Sequence, residues 1–348
     1  MNWKNALLVG VCAVGGLAQA FVAKVGVLVV DDGTGKPLRD ITVTGYFSVN
    51  NGWGAWKGTP LPNKDTAVTD INGRCRVWGR TNCGVVECRV QAVPSGYYVP
   101  ARGWGHRFKG RNLFGLWQPD NLVATIRLQR VERPIPLLVK SLTGANREGH
   151  ADDLFPRGED TLRYDLLAGD WLPPVGTGQV ADVTFTRNPR EDLGEGVNGA
   201  DVRGRSYRDS MTVEFPGPDN GLVEIHSTPD VRLKIRTAPE GGYRPDYRCW
   251  YKVDRQLQNK SSYDRNRCFC FRIRTRRDEE GKIVEAFYGK IYGDIDFVYQ
   301  VEHELKVASV CMEYYLNPTP LDRNLEWDRK TNLFAPGEKI YNRNDKFP

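Results

Sequence analysis

The feature that most constrains this chain is a steady alternation of short apolar, β-branched runs with turn residues. Residues 24–30 form such a run and end in Asp31-Asp-Gly-Thr-Gly35, where glycine supplies positive φ. Residues 41–47 alternate, and residues 67–69 lead into the turn Asp70-Ile-Asn-Gly73. Residues 74–79, 85–93 and 121–131 read as further strands. No window of helical period lies between these runs. Strands at this spacing predict an antiparallel sandwich.

The second half repeats the pattern. Strands are expected over 180–186, 211–215, 222–226, 231–236, 247–253, 268–275, 283–292 and 306–316, with turns at Pro218-Asp-Asn-Gly221 and Asp278-Glu-Glu-Gly281. Residues 160–168 carry the best helical signature. Leu162, Leu166 and Leu167 fall on one face, Asp160 can cap and Gly169 can terminate. A strand is the alternative there. The fold class is therefore all-β: two antiparallel β-sandwich domains with at most one or two short helices. Val131-Glu-Arg-Pro-Ile-Pro136 marks the seam, since two prolines so close do not both sit inside a sheet. The organisation predicted is a leader over 1–20, a sandwich over 24–133, a larger β-domain over 134–316 and an extended tail over 317–348. The Trp and Phe of that tail favour its being laid over the sandwich.

Lys4, the apolar stretch from Ala6 to Ala18, and Ala18-Gln19-Ala20 read as a secretory signal with cleavage before Phe21. No later segment is apolar enough for a transmembrane helix. The chain is thus expected to be exported, periplasmic or secreted. Lys+Arg 49 against Asp+Glu 43 gives +6. Removing Lys4 leaves 48 − 43 = +5, a mild excess. With Trp 9, Tyr 15 and Phe 13, disorder is excluded.

Of the 8 cysteines, Cys12 lies in the leader. Cys75, Cys83 and Cys88 form one group, and Cys249, Cys268, Cys270 and Cys311 another. Export favours disulfides. If 74–79 and 85–93 pair as a hairpin, Cys75 faces Cys88 and Cys83 stays near the turn. Period two puts Cys268 and Cys270 opposite Phe269, Phe271 and Ile273, and puts Cys311 opposite its own strand's apolar side. A bond from Cys311 to Cys268 or Cys270 follows. Cys249 shares its face with Tyr251 and Val253 and looks inward.

Residues Val27-Leu-Val-Val-Asp-Asp-Gly-Thr-Gly-Lys-Pro-Leu38, Ile41-Thr-Val-Thr44, Thr69-Asp-Ile-Asn-Gly-Arg74 and Pro94-Ser-Gly-Tyr97 resemble the carboxypeptidase-regulatory-like domain. The resemblance covers about residues 24–131 and implies a Greek-key, transthyretin-like β-sandwich in an exported bacterial protein. It supplies no catalytic residues. The chain departs from the family by the segment 53–63, the three cysteines and an insertion near Trp104. The remainder has the general pattern of exported bacterial proteins.

Motifs for chemistry are sparse. His106, His150, His226 and His303 share no metal spacing, and no His-Glu-x-x-His or Gly-x-Ser-x-Gly occurs. Gly33-Thr-Gly-Lys36 lacks the Ser/Thr and the helix of a phosphate loop. Glu302-His303-Glu304, Asp152-Asp153 and Asp294-Ile-Asp296 read as rims and turns. No cofactor, no metal and no specific nucleic acid is expected. Two stretches stand out as ligand-binding candidates. Trp53 and Trp56 lie in a glycine-rich segment, and exposed Trp faces stack on sugars. Trp104 and Trp117 flank Arg102, Arg107, Lys109 and Arg111, an aromatic-basic mix suited to an anionic polymer. The competing reading is that these segments cover an open sheet edge. The function expected is a non-enzymatic structural or surface-interaction role, with a glycan-binding module second and a hydrolase third. The partner would be a polysaccharide or cell-surface component.

Overall fold

The computed structural model describes residues 22–48, 63–100, 103–112, 116–142, 160–195, 205–226, 235–253, 259–264, 266–302 and 305–334. The leader therefore lies outside the described residues. The chain divides into two compact units, the first ending at Glu132 and the second beginning at Arg133. No α-helix occurs among the described residues.

The first unit contains β1 (Val22–Asp31), β2 (Thr42–Phe47), β3 (Asn63–Val68), β4 (Arg74–Arg80), β5 (Val85–Ala92), β6 (Trp104–Arg107), β7 (Gly110–Arg111), β8 (Trp117–Gln118) and β9 (Val123–Leu128). A three-stranded sheet β4-β1-β9 faces a four-stranded sheet β3-β2-β5-β6. The period-two alternation turns Val25, Val27, Val29, Val77, Ala124 and Ile126 of one sheet toward Val43, Phe47, Val86 and Cys88 of the other. Two glycines make that approach possible. A Cβ at Gly79 would lie 2.3 Å from the Phe47 ring, and one at Gly45 would lie 2.7 Å from Val77 Cγ2.

Two expectations change here. β9 joins β1 in parallel, so the sandwich is not wholly antiparallel. The hairpin of 74–79 with 85–93 does not form. β4 pairs with β1 and β5 with β2 and β6, so the two lie in different sheets. The segment between them crosses from sheet to sheet. Buried Thr81 fixes the crossing by donating to Ser48 O at 2.6 Å and accepting from Gly84 N at 2.9 Å.

The second unit contains β10 (Ile135–Leu142), β11 (Thr161–Asp165), β12 (Asp170–Trp171), β13 (Val183–Arg187), β14 (Glu191–Glu195), β15 (Arg205–Glu214), β16 (Gly221–His226), β17 (Asp246–Val253), β18 (Asn259–Ser261), β19 (Arg267–Arg277), β20 (Ile283–Ile291), β21 (Asp296–Glu302), β22 (Leu305–Asn317) and β23 (Trp327–Asn332). One seven-stranded sheet runs β16-β19-β20-β22-β10-β23, with β21 on β22. The other runs β12-β11-β13-β15-β17-β18, with β14 on β15. Their facing sides share one core that includes Phe269, Phe271, Tyr314, Phe185, Val213 and Cys249.

Residues 161–165 are strand, not helix. Leu162 and Tyr164 are buried in that core, and tertiary packing outweighs the local helical spacing. Within residues 317–334, Leu325 and Trp327 pack against the back of the first sheet and Phe334 against the main core, while β23 also extends that sheet by pairing in parallel with β10. Pro136 is accommodated because the pairing shifts register between Ile135 and Leu137.

The first sheet is covered on both faces. Behind it, Cys270, Ala286 and Tyr288 pack under Ala238 and Leu325, while Leu137, Val139 and Tyr315 pack under Trp327. This explains why β19 is buried on both sides although only one side carries Phe269 and Phe271.

Candidate functional site

Three places bear on function: the aromatic insertion of the first unit, the outer face of its three-stranded sheet, and the buried ionic groups of the second unit.

In the insertion, β6 pairs with β5 as the edge of the four-stranded sheet. Trp104 stacks on His106 at 5.7 Å and 9°, His106 meets Phe108 edge-on at 5.1 Å, and Phe108 meets Trp117 at 5.9 Å. The Arg111 guanidinium lies 5.1 Å from the Trp117 ring centre. Trp117 is 8% exposed, and its indole N–H donates to Thr81 O at 2.9 Å. Trp117 therefore serves the core and the sheet crossing and offers no face to a ligand. Trp104 packs half-buried against the same core. Arg107, Lys109 and Arg111 are exposed. Trp53, Trp56 and Arg102 lie outside the described residues.

The outer face of β4-β1-β9 was not singled out from sequence. Alternate residues of β4 point outward: Arg74, Arg76, Trp78 and Arg80, all exposed. Lys24 on β1 stands opposite Trp78, Gly26 opposite Arg76 and Leu28 opposite Arg74. On β9, Val123, Thr125 and Arg127 continue the face. Trp78 is 59% exposed. Lys24, Arg74, Arg76, Arg80 and Arg127 form no ion pair among the described residues. The acids closest to β4 in the fold, Asp65 and Asp70, are committed to backbone. Asp65 accepts from Trp78 N at 3.0 Å, and Asp70 accepts from Asn72 N and Arg74 N at 2.9 and 2.8 Å. The legible signal was the period-two series Arg74-x-Arg76-x-Trp78-x-Arg80.

Among the described residues of the second unit, every buried acid has an arginine or amide partner. Arg274 lies at φ 51, where β19 slips register, and donates to Asp182 at 2.8 Å and Asp165 at 2.6 Å. Burial pushes the Asp182 carboxyl up. At Asp165 burial is outweighed by the amides of Ala168, Val180 and Gln179, which hold it below the usual carboxylate range. Arg190 grips Asp209 with two bonds at 2.8 and 2.7 Å. Arg267 joins Glu224, Asp294 and the Tyr247 hydroxyl at 2.7, 2.9 and 2.7 Å. Asp294 thus anchors strands and is more than a turn residue. The ammonium of fully buried Lys290 donates to Ile235 O at 2.9 Å and Leu325 O at 2.7 Å. No group of metal ligands occurs among the described residues. His150 and His303 lie outside them.

No S–S bond joins the described cysteines, so the pairs expected for Cys75 with Cys88 and for Cys311 with Cys268 or Cys270 are absent. For the second pair the reason is topological. β20 lies between β19 and β22. Two strand spacings amount to about 9–10 Å, beyond the roughly 7 Å that a disulfide spans between Cα atoms. Cys75 and Cys88 do not face each other in a hairpin; they reach the core of the first unit from its two sheets, as free thiols. Cys249 is buried and its thiol meets Met211 O at 3.6 Å.

No protein-family model matches the chain. No curated protein matches it either. Among solved structures, a Streptococcal ancillary pilin is 15% identical at TM-score 0.22, covering 59% of this chain and 56% of that one. The match thus spans little more than half of that pilin. The full-length major pilin SpaD from Corynebacterium diphtheriae is 8% identical at TM-score 0.24, covering 84% of this chain and 81% of its own. BcpA, the major pilin subunit of Bacillus cereus, is 12% identical at TM-score 0.21, covering 82% and 95%. Scores of this size fall below those that a shared topology gives.

Proposed function

We propose that the chain is an exported, non-enzymatic β-sandwich protein with a structural or surface-interaction role. The observation that carries this reading is the use made of buried charge. Asp31, Asp165, Asp182, Asp209, Asp294 and Glu326 are each saturated by arginine, tyrosine or backbone donors. A general acid or base needs an ionisable group that faces a substrate and exchanges a proton with it. These groups instead tie strands and loops together. The first unit is read as a transthyretin-like sandwich of the carboxypeptidase-regulatory-like type. Its three- and four-stranded facing sheets support this, as do the turns at Asp31–Gly35 and Asp70–Gly73.

The test is location. A C-terminally tagged full chain, produced in a bacterial host, is expected in the exported fraction, beginning at Phe21 and accessible to protease added to intact cells. Recovery from the cytosol with Met1 retained overturns the reading.

A further inference from the structure

We propose that the outer face of β4-β1-β9 is a binding surface for an anionic polysaccharide, a polymer of carboxylate-bearing sugars. The geometry is that of a flat, twisted platform. Side chains two apart on a strand recur about every 7 Å, so Arg74, Arg76, Trp78 and Arg80 form a file about 20 Å long. Lys24 stands beside Trp78 in the next file, and Arg127 lies on the strand beyond. A guanidinium presents a planar fork that takes a carboxylate with two hydrogen bonds. An indole offers a wide apolar face for the C–H side of a sugar ring. Here both stand on one strand, with Trp78 between Arg76 and Arg80.

The charge is unspent. The face carries cations on all three strands, and the acids at its edge, Asp65 and Asp70, are turned to backbone amides. A structural role does not explain the residue choice. Residues that face solvent on an ordinary half-buried sheet carry mixed charge. Bringing Arg74, Arg76 and Arg80 into one file costs mutual repulsion, which a polyanion relieves.

A polysaccharide fits better than a single-stranded nucleic acid on two counts. Stacking surfaces for successive bases use several aromatic rings along the strand path. This face has Trp78 as its one aromatic side chain among the described residues. The choice also rests on the reading of the chain as exported, which is tested separately by its location.

The experiment uses the purified full chain in calorimetric titration with three probes: alginate as the polyuronate, neutral dextran, and oligothymidylate. Expected is binding to alginate that weakens with added salt, with no binding to dextran. The variant Arg76→Glu/Arg80→Glu should bind alginate at least about tenfold more weakly, and Trp78→Ala several-fold more weakly. Both should melt like the parent, because these side chains are exposed. The variant Arg107→Glu/Lys109→Glu should bind like the parent. Unchanged binding in Arg76→Glu/Arg80→Glu, or loss of binding in Arg107→Glu/Lys109→Glu instead, overturns the assignment of the face. Tighter binding of oligothymidylate than of alginate overturns the choice of polymer while leaving the exported reading standing. No binding to any probe overturns the proposal as a whole.

Discussion

The Tyr97 hydroxyl donates to Oδ2 of Asp31 at 2.7 Å, joining residues 66 apart in the chain, and the Arg130 guanidinium meets the same oxygen at 3.0 Å. Asp31 also accepts the Thr34 amide at 2.7 Å and closes the turn after β1. Tyr97 and the Thr34 amide hold its carboxyl far below the ordinary carboxylate range. The folded-state value is thus depressed, so its stabilisation is present above the unfolded value near pH 4 and is lost as pH falls below it. Asp31→Asn is expected to lower Tm at pH 7 by roughly 5 °C or more. The gap to the parent should narrow steadily below about pH 4. Melting curves between pH 2 and 7 check this, and a gap independent of pH contradicts it.

Arg274 is the tie between β19 and the segment from Asp165 to Asp182. Removing its charge leaves two buried carboxylates facing each other. Arg274→Met should cost about 3–5 kcal/mol, far more than its lost packing. Urea unfolding of the variant measures this. A cost within about 1 kcal/mol would show that water, not arginine, satisfies the pair.

Burial lowers the Lys290 ammonium from 10.5 to about 8. In the unfolded chain it holds its proton to higher pH. The unfolded state therefore binds more protons between about pH 8 and 10.5, and this group makes stability rise with pH across that window. Lys290→Met removes the rise and strands the carbonyls of Ile235 and Leu325. The parent's advantage over the variant should grow by up to about 3 kcal/mol from pH 8 to 10.5. Paired chemical denaturation at pH 7.5, 9 and 10 reads the difference, and a constant difference refutes the sign.

Gly73 and Gly35 both take left-handed backbone, at φ 69 and 68. A Cβ at Gly73 would lie 2.5 Å from Val29 O, whereas nothing lies within 4 Å of one at Gly35. Gly35→Ala should cost about 1 kcal/mol for the conformation alone. Gly73→Ala should cost at least about 2 kcal/mol more, because backbone atoms cannot give way. Thermal unfolding ranks the two, and equal losses would contradict the argument.

With β20 between its strand and β19, Cys311 supports no bridge. Cys311→Ala is expected to shift Tm by no more than about 2 °C, identically with and without reductant. A loss of several degrees that reductant abolishes would restore the disulfide.

The strands were legible wherever apolar side chains alternate, as in β1, β4 and β9 of the first unit and β16, β17 and β22 of the second. Their partners were not. The hairpin of 74–79 with 85–93 looked sound because both strands alternate in phase. Alternation reports which side faces a core, and it is silent on which sheet a strand joins. The strand at 161–165 was hidden because Leu162 and Leu166 sit at helical spacing, and the core that overrides this is built from remote residues. The cysteine environment of β19 was half legible. Cys268 and Cys270 do face away from Phe269 and Phe271, but the segment bearing Ala238 and the stretch near Leu325 cover that side. At the candidate site, the interleaving of Arg and Lys with aromatics pointed to Trp104 and Trp117, whose rings pack against the core. Trp78 escaped notice because it is a single Trp inside a strand, with no second aromatic beside it in the sequence.

The second unit's first strand, β10, lies parallel to and beside its last, β23, with Arg133 N donating to Glu326 across 193 residues. In a parallel pair, the start of one strand and the end of the other lie at opposite ends of the ladder. Tension applied to the chain at residue 133 and at residue 334 therefore slides the two strands past each other in shear. Their rungs must then break together, whereas peeling from one end would break them singly. Pulled at those two points, β10 and β23 are loaded in shear and not in peeling.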